Sequence, residues 1–144
     1  MAKRITREEC NCFALRQAAR FVTQLYDRHL SQADVTAAQF TILSCLAGRP
    51  DATAVELADD LVMDRTTLVR ALKPLQRDGL VFAFAAEHDT RTLVYRLSAD
   101  GACRYEKAHA LWLDAQAEFE QHMKRDRARA LRAELFALTH AGLH

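Results

Sequence analysis

Four glycines and two prolines are all the punctuation that 144 residues contain. With no low-complexity linker and no internal repeat, a solenoid or a chain of flexibly joined modules is excluded, and long uninterrupted elements are expected. Cysteine is sparse as well. Cys10, Cys12, Cys45 and Cys103 are too few and too irregularly spaced for a secreted disulfide scaffold, and no CxxC pair suggests a zinc knuckle. Reduced thiols are therefore expected, and no motif calls for a metal or a cofactor. No apolar run approaches the roughly twenty residues of a membrane span. The opening Met1-Ala-Lys-Arg-Ile-Thr-Arg-Glu-Glu-Cys10 also lacks the apolar stretch of a signal peptide, so a cytoplasmic location with no membrane partner is expected. Finally, charge of one sign is not in excess. The net charge is +1, so any nucleic-acid site must come from local clustering.

Hydrophobic residues, by contrast, make up 50% of the chain. That is enough for one core with surface left for a partner, and it excludes a disordered chain. A single domain spanning 1–144 is expected. From about Glu8 to Leu30, Ala14, Ala18, Phe21 and Leu25 form one helical stripe, with Leu15, Ala19, Val22 and Tyr26 beside it. Thr36-Ala-Ala-Gln39 is a capping box with Val35 and Phe40 at staple positions; it opens a second helix that Gly48 and Pro50 end. Thr53-Ala-Val-Glu56 is another box, opening a short helix with Leu57, Ala58 and Leu61 inward. Asp64 caps the next helix, whose Leu68, Ala71, Leu72 and Leu75 share a face. Two short capped helices across a tight turn make a helix-turn-helix.

Past Gly79, the β-prone runs Leu80–Ala85 and Thr92–Leu97 flank a polar tip, Ala86 to Arg91, and read as a hairpin. From Ser98 the helical period returns through Ala108, Trp112, Ala115, Phe119 and Met123. A last helix from about Arg127 carries Leu131, Leu135 and Leu138. The fold class is mainly α with a small β element (α+β), a winged helix-turn-helix with flanking helices.

At 100° per residue, Thr66, Arg70, Lys73 and Arg77 fall in a narrow arc opposite Leu68, Leu72 and Leu75. A helix inserted in a DNA major groove needs this division: leucines hold it to the body while cations and hydroxyls reach phosphates and base edges. Lys and Arg also decorate ordinary surface helices, so the hairpin matters. Its tip bears His88 and Arg91, where a wing would reach an adjacent minor groove. Arg96 reads as a solvent-facing strand residue.

The stretch Glu56-Leu-Ala-Asp-Asp-Leu-Val-Met-Asp-Arg-Thr-Thr-Leu-Val-Arg70, continuing to Leu75-Gln-Arg-Asp-Gly-Leu-Val81, resembles the recognition motif of the MarR (multiple antibiotic resistance regulator) family. His88-Asp-Thr-Arg91 and Leu97-Ser-Ala-Asp-Gly101 are similar to that family's wing tip and following helix. The resemblance implies a transcription regulator on double-stranded DNA, with Arg65, Thr66, Thr67 and Arg70 facing the groove and Asp89 bracing Arg91. Thr90 stands where the family often has a second arginine. Pro74 is unusual inside a helix, and a kink is expected there, not a stop.

The resemblance also implies a homodimer with a pseudo-palindromic operator. Its lobe spans about 36–97, and its dimerisation helices, about 8–31 and 98–141, interlock through Trp112, Phe119, Leu131, Leu135, Phe136 and Leu138. It implies a repressor relieved by a small aromatic effector, for which Arg16, Arg20, Phe40 and His109 are candidate cavity residues. Cys12-Phe-Ala-Leu15 is similar to the reactive-cysteine segment of the family's organic-hydroperoxide-sensing branch, although Ala37 and Phe40 occupy the places of that branch's tyrosines. Two other classes stand beside this reading. An enzyme would need a glycine phosphate loop, an HExxH or a nucleophile elbow, and none is present. A winged-helix protein-interaction module would share the shape but not need the Arg65, Arg70, Lys73 and Arg77 set.

Overall fold

Residues 1–141 are described by the computed structural model. After a 3-10 turn at Arg7–Glu9 come α1 (Asn11–Leu30), a second 3-10 turn at Ser31–Ala33 and α2 (Ala37–Gly48). Then follow β1 (Ala52–Thr53), α3 (Ala54–Leu61), α4 (Arg65–Arg77), β2 (Val81–Ala86), β3 (Asp89–Leu97), α5 (Ala99–Met123) and α6 (Arg125–His140).

Local chemistry sets most of these boundaries. Thr36 Oγ1 accepts from Gln39 N and Gln39 Oε1 from Thr36 N, both at 3.1 Å. Thr53 and Glu56 repeat the exchange, again at 3.1 Å each way. Such a cap is worth about 1 kcal/mol; the first fixes where α2 begins and the second where the helix-turn-helix begins. Asp64 and Ser98 cap α4 and α5. α4 runs through Pro74 to Arg77 without a stop, although Pro74 offers no N–H to the Arg70 carbonyl.

Three expectations are corrected and one element is added. α1 begins at Asn11, because Thr6 and Glu9 close a separate 3-10 turn and Cys10 is extended (φ −90°, ψ 114°), its Sγ accepting Phe13 N at 3.4 Å. α6 begins at Arg125, where Lys124 at φ 75°, ψ 138° breaks the helical path. The hairpin tip narrows to Glu87 and His88, since Asp89, Thr90 and Arg91 already belong to β3 and a bulge at Ala85/Ala86 absorbs the mismatch. β1 was not foreseen: two residues carry no period. It exists only because β3 offers an antiparallel edge, pairing Ala52 with Tyr95 and Thr53 with Val94 in a sheet of order β1-β3-β2.

The core gathers Leu30, Leu43, Leu57, Leu68 and Leu72, each 0% exposed, around Phe40, Leu46, Leu75, Leu80 and Tyr95. At about 1.5–3 kcal/mol per buried leucine, this core fixes α4 to the body. α1 is tied to α5 by Tyr26 Oη, which donates to Gln116 Oε1 at 2.5 Å, and by His29 Nε2, 2.5 Å from Glu118 Oε2. That bond to His29 is the main cause holding the Glu118 carboxyl below the usual range. α6 is different. Its Leu131, Leu135, Phe136 and Leu138 are all exposed.

Candidate nucleic-acid interface and effector pocket

Three buried leucines, Leu68, Leu72 and Leu75, turn the other side of α4 outward. There Arg65, Thr66, Val69, Arg70 and Lys73 line a shallow depression of about 470 Å³. No acidic side chain lines it. Among the described residues, Arg65, Arg70 and Lys73 enter no ion pair. A cluster of cations left without intramolecular partners is a strained arrangement in isolation and a ready one for phosphate.

Two expected members sit differently. Thr67 is exposed, but its hydroxyl donates to Asp64 Oδ2 at 2.7 Å and its N–H to Asp64 Oδ1 at 2.8 Å. It is therefore part of the cap, because a residue three places after an N-cap faces that cap. The backbone bond is the larger cause that holds the Asp64 carboxyl below its ordinary value. Arg77 lies outside the depression at the helix end, its Nε 3.5 Å from Asp78 Oδ1. Val69 was missed by looking only for polar residues; a methyl-bearing side chain beside cations suits thymine methyl contact.

On the wing, Asp89 Oδ1 accepts the backbone N–H of Arg91 at 3.0 Å and Oδ2 the Thr92 hydroxyl at 2.9 Å. Asp89 thus braces Arg91 through its backbone and leaves the guanidinium free of the carboxylate. His88 and Arg91 are both exposed. Arg96 is not a bare strand residue: its Nε and Nη2 donate to Asp51 Oδ1 and Oδ2, each at 2.7 Å.

Between α1, α2 and α5 lies a pocket of about 180 Å³ lined by Val22, Thr23, Tyr26, Leu30, Ala37, Phe40, Thr41 and Trp112. Of the expected cavity residues only Phe40 is in this lining, its ring stacked 5.7 Å from Tyr105 and 6.1 Å from Trp112. Arg16 and Arg20 are exposed elsewhere, since helical geometry turns them to a different face of α1 from Val22 and Tyr26. His109 stacks on Trp112 at 5.6 Å outside the lining. A second, larger apolar cavity of about 830 Å³ between α1, α5 and α6 takes in Trp112, Phe119, Leu131, Leu135 and Leu138, while Phe136 lines a neighbouring depression with Ala58, Val62 and Met63. Cys12 is exposed in the first turn of α1 and Cys103 is exposed on α5, while burial pushes the half-buried Cys45 thiol up. All four cysteines are free.

A capped helix pair with a basic outer face, flanked by a three-stranded sheet whose hairpin projects beside it, defines a winged helix-turn-helix protein. A sequence model of the MarR family matches residues 35–93. The organic hydroperoxide resistance transcriptional regulator of Bacillus subtilis (strain 168) is 31% identical over 97 residues, which is 67% of this chain and 66% of that relative, just under two thirds of its length. Among solved structures, the M. tuberculosis transcriptional regulator MOSR in complex with DNA superposes with a TM-score of 0.83 at 35% identity, over 92% of this chain and 96% of that one. A mutant MarR from E. coli complexed with operator DNA gives 0.79 at 28%, over 87% and 90%. The chain belongs to the MarR family of regulators.

Proposed function

We propose that this protein is a homodimeric, sequence-specific DNA-binding transcription regulator, a repressor whose grip on a pseudo-palindromic operator is relieved by a small aromatic effector. Its work is binding and not catalysis, and a chromosomal partner puts it in the cytoplasm. The observation that carries the reading is the unpaired Arg65, Arg70 and Lys73 face of α4, set beside a wing with a free Arg91. α4 enters the major groove with Arg65, Thr66 and Arg70 toward base edges and phosphates. Thr67 shapes the helix start, Arg77 and Lys73 face the backbone, and His88 and Arg91 approach the minor groove. The lobe of about 36–97 carries this face, and the helices at 8–31 and 98–141 carry the dimer, which buries the exposed leucines of α6. Two-fold symmetry then sets half-sites about 10 bp apart.

The test is affinity for DNA that the purified protein selects from a genomic library. Arg70→Ala is expected to cost about 1–3 kcal/mol and to relax preference at one position per half-site. Arg91→Ala weakens binding through the wing. Unchanged affinity in both variants, with folding intact, refutes the assignment.

The effector belongs in the pocket beside Phe40. A dry cavity of about 150 Å³ accepts benzene, so the space here fits one ring. Tyr26 donates its hydroxyl proton to Gln116 and Thr41 donates its own to the Ala37 carbonyl at 2.9 Å, so both hydroxyl oxygens keep lone pairs for a donor. That suits a ring bearing an O–H or N–H donor. A carboxylate would be desolvated there with no cation in the lining.

A second reading has its own observation. Cys10 caps α1 with its sulfur and Cys12 is exposed in the first turn, at the positive helix end, and one relative of the chain is named for organic hydroperoxide resistance. On this reading a hydroperoxide oxidises Cys12 to the sulfenic acid, being itself reduced to the alcohol. Release of operator at stoichiometric hydroperoxide by the parent protein, with Cys12→Ser still bound, supports it; identical behaviour leaves Cys12 a structural thiol.

A further inference from the structure

The wing is a cantilever. β1 supports β3 only at Val94 and Tyr95, and beyond them β2 pairs only with Leu93 and Asp89, the residues Thr90 to Thr92 bulging out between those two pairs. One side-chain assembly crosses all three strands at the root. Asp51, just before β1, chelates the Arg96 guanidinium on β3 with two bonds of 2.7 Å, and the same guanidinium lies 4.8 Å from the ring centroid of Phe84 on β2. Asp51 also donates its N–H to the Tyr95 carbonyl at 3.1 Å. It does so from a left-handed conformation, φ 64°, that only a few residue types adopt readily. Two residues on, Thr53 caps α3, so the assembly joins the wing root to the start of the helix-turn-helix.

Exposed ion pairs generally contribute little, but a bidentate Arg–carboxylate pair has a fixed geometry, and stacking the guanidinium on an aromatic ring fixes its plane. The lever is long. Arg91 is five residues along β3 from Arg96, at most roughly 17 Å at about 3.4 Å per residue, so a root rotation of about 10° sweeps Arg91 by up to roughly 3 Å, the length of a hydrogen bond.

We infer that the Asp51–Arg96 pair, stacked on Phe84, is a positioning device that holds the wing at the angle from which Arg91 reaches DNA while α4 is engaged. The inference rests on the DNA-binding reading above. Neither Asp51 nor Arg96 touches DNA in it; both act through Arg91.

The experiment is a double-mutant cycle, read by fluorescence anisotropy on a labelled duplex selected by the unsubstituted protein. Asp51→Asn removes the charge with a residue that tolerates the left-handed backbone, and Arg96→Lys keeps the charge but loses the fork and the stack. Each is combined with Arg91→Ala, and thermal unfolding verifies that every variant is folded at the assay temperature. Each is expected to weaken binding about three- to tenfold when Arg91 is present and by less than roughly twofold when it is absent. Equal losses in both backgrounds, or no loss in either, overturn the positioning role while leaving DNA binding intact. Failure of the unsubstituted protein to retain any DNA overturns the DNA-binding reading and this inference with it.

Discussion

Replacing Gly101 by alanine sets two effects of opposite sign against each other. Gly101 lies in the first turn of α5, its N–H donating to Ser98 Oγ at 3.0 Å. Within a helix, Gly→Ala is ordinarily favourable by up to about 1 kcal/mol. Here the new methyl carbon would stand 1.9 Å from the Leu80 carbonyl oxygen, 2.9 Å from its carbon and 3.3 Å from its Cα. Reaching even 3.0 Å from that oxygen requires a shift of more than 1 Å between two backbones. Neither backbone is free to move. Leu80 is 3% exposed, its N–H bonds to the Leu75 carbonyl at 2.9 Å, and its own carbonyl accepts Ser98 N at 3.0 Å. Overpacking of this kind costs about 1–3 kcal/mol, and rigid backbone partners place it at the upper end, so the clash outweighs propensity and leaves a net loss of about 2 kcal/mol. For a chain of this size that lowers Tm by about 4–8 °C. Differential scanning fluorimetry at one fixed protein concentration checks it, with Gly48→Ala as control: a Cβ at Gly48 meets nothing within 4 Å, so its Tm should stay or rise. A Gly101→Ala protein as stable as the parent would refute the argument.

Removing the residues after Arg125 deletes α6 and with it Leu131, Leu135, Phe136 and Leu138; the product is expected to sediment as a monomer and to show a flatter salt dependence of DNA binding, whereas a dimeric product would place the interface elsewhere. Asp64 gives a pH signature. Its folded carboxyl is held below the ordinary aspartate value of 3.8 by the Thr67 bonds, so the stability it adds is present above about that pH and is lost as pH falls through the lower folded value. The Tm gap between the parent and Asp64→Ala should accordingly be constant from pH 7 to 5 and shrink below about 3.8, and a gap that is widest in acid would contradict the cap. Trp112 is the one tryptophan and lines the small pocket, so its fluorescence reports the effector directly. Phenol is expected to quench it saturably and benzoate is not, while Ala37→Leu, which fills the space, should abolish the response; equal quenching by benzoate would overturn the neutral-donor reading.

Local sequence determined where the helices of the lobe begin and which face of α4 points inward. The reason is that a capping box is a contact between residues three apart and an amphipathic stripe is a property of one helix. Thr36 with Gln39, Thr53 with Glu56, and the Leu68, Leu72, Leu75 stripe could be read without knowing any neighbour. What lay beyond reach depends on residues far apart in the chain. β1 has no signal of its own and is made by β3. Arg96 looked like a solvated strand residue because its partner, Asp51, is 45 positions away. Arg16 and Arg20 were misplaced because only the packing of α1 against α2 and α5 decides which of its faces closes a pocket, and that face carries Val22 and Tyr26. Thr67 and Thr66 are adjacent and chemically identical, yet one hydroxyl faces Asp64 and the other opens to solvent; the cap geometry alone separates them.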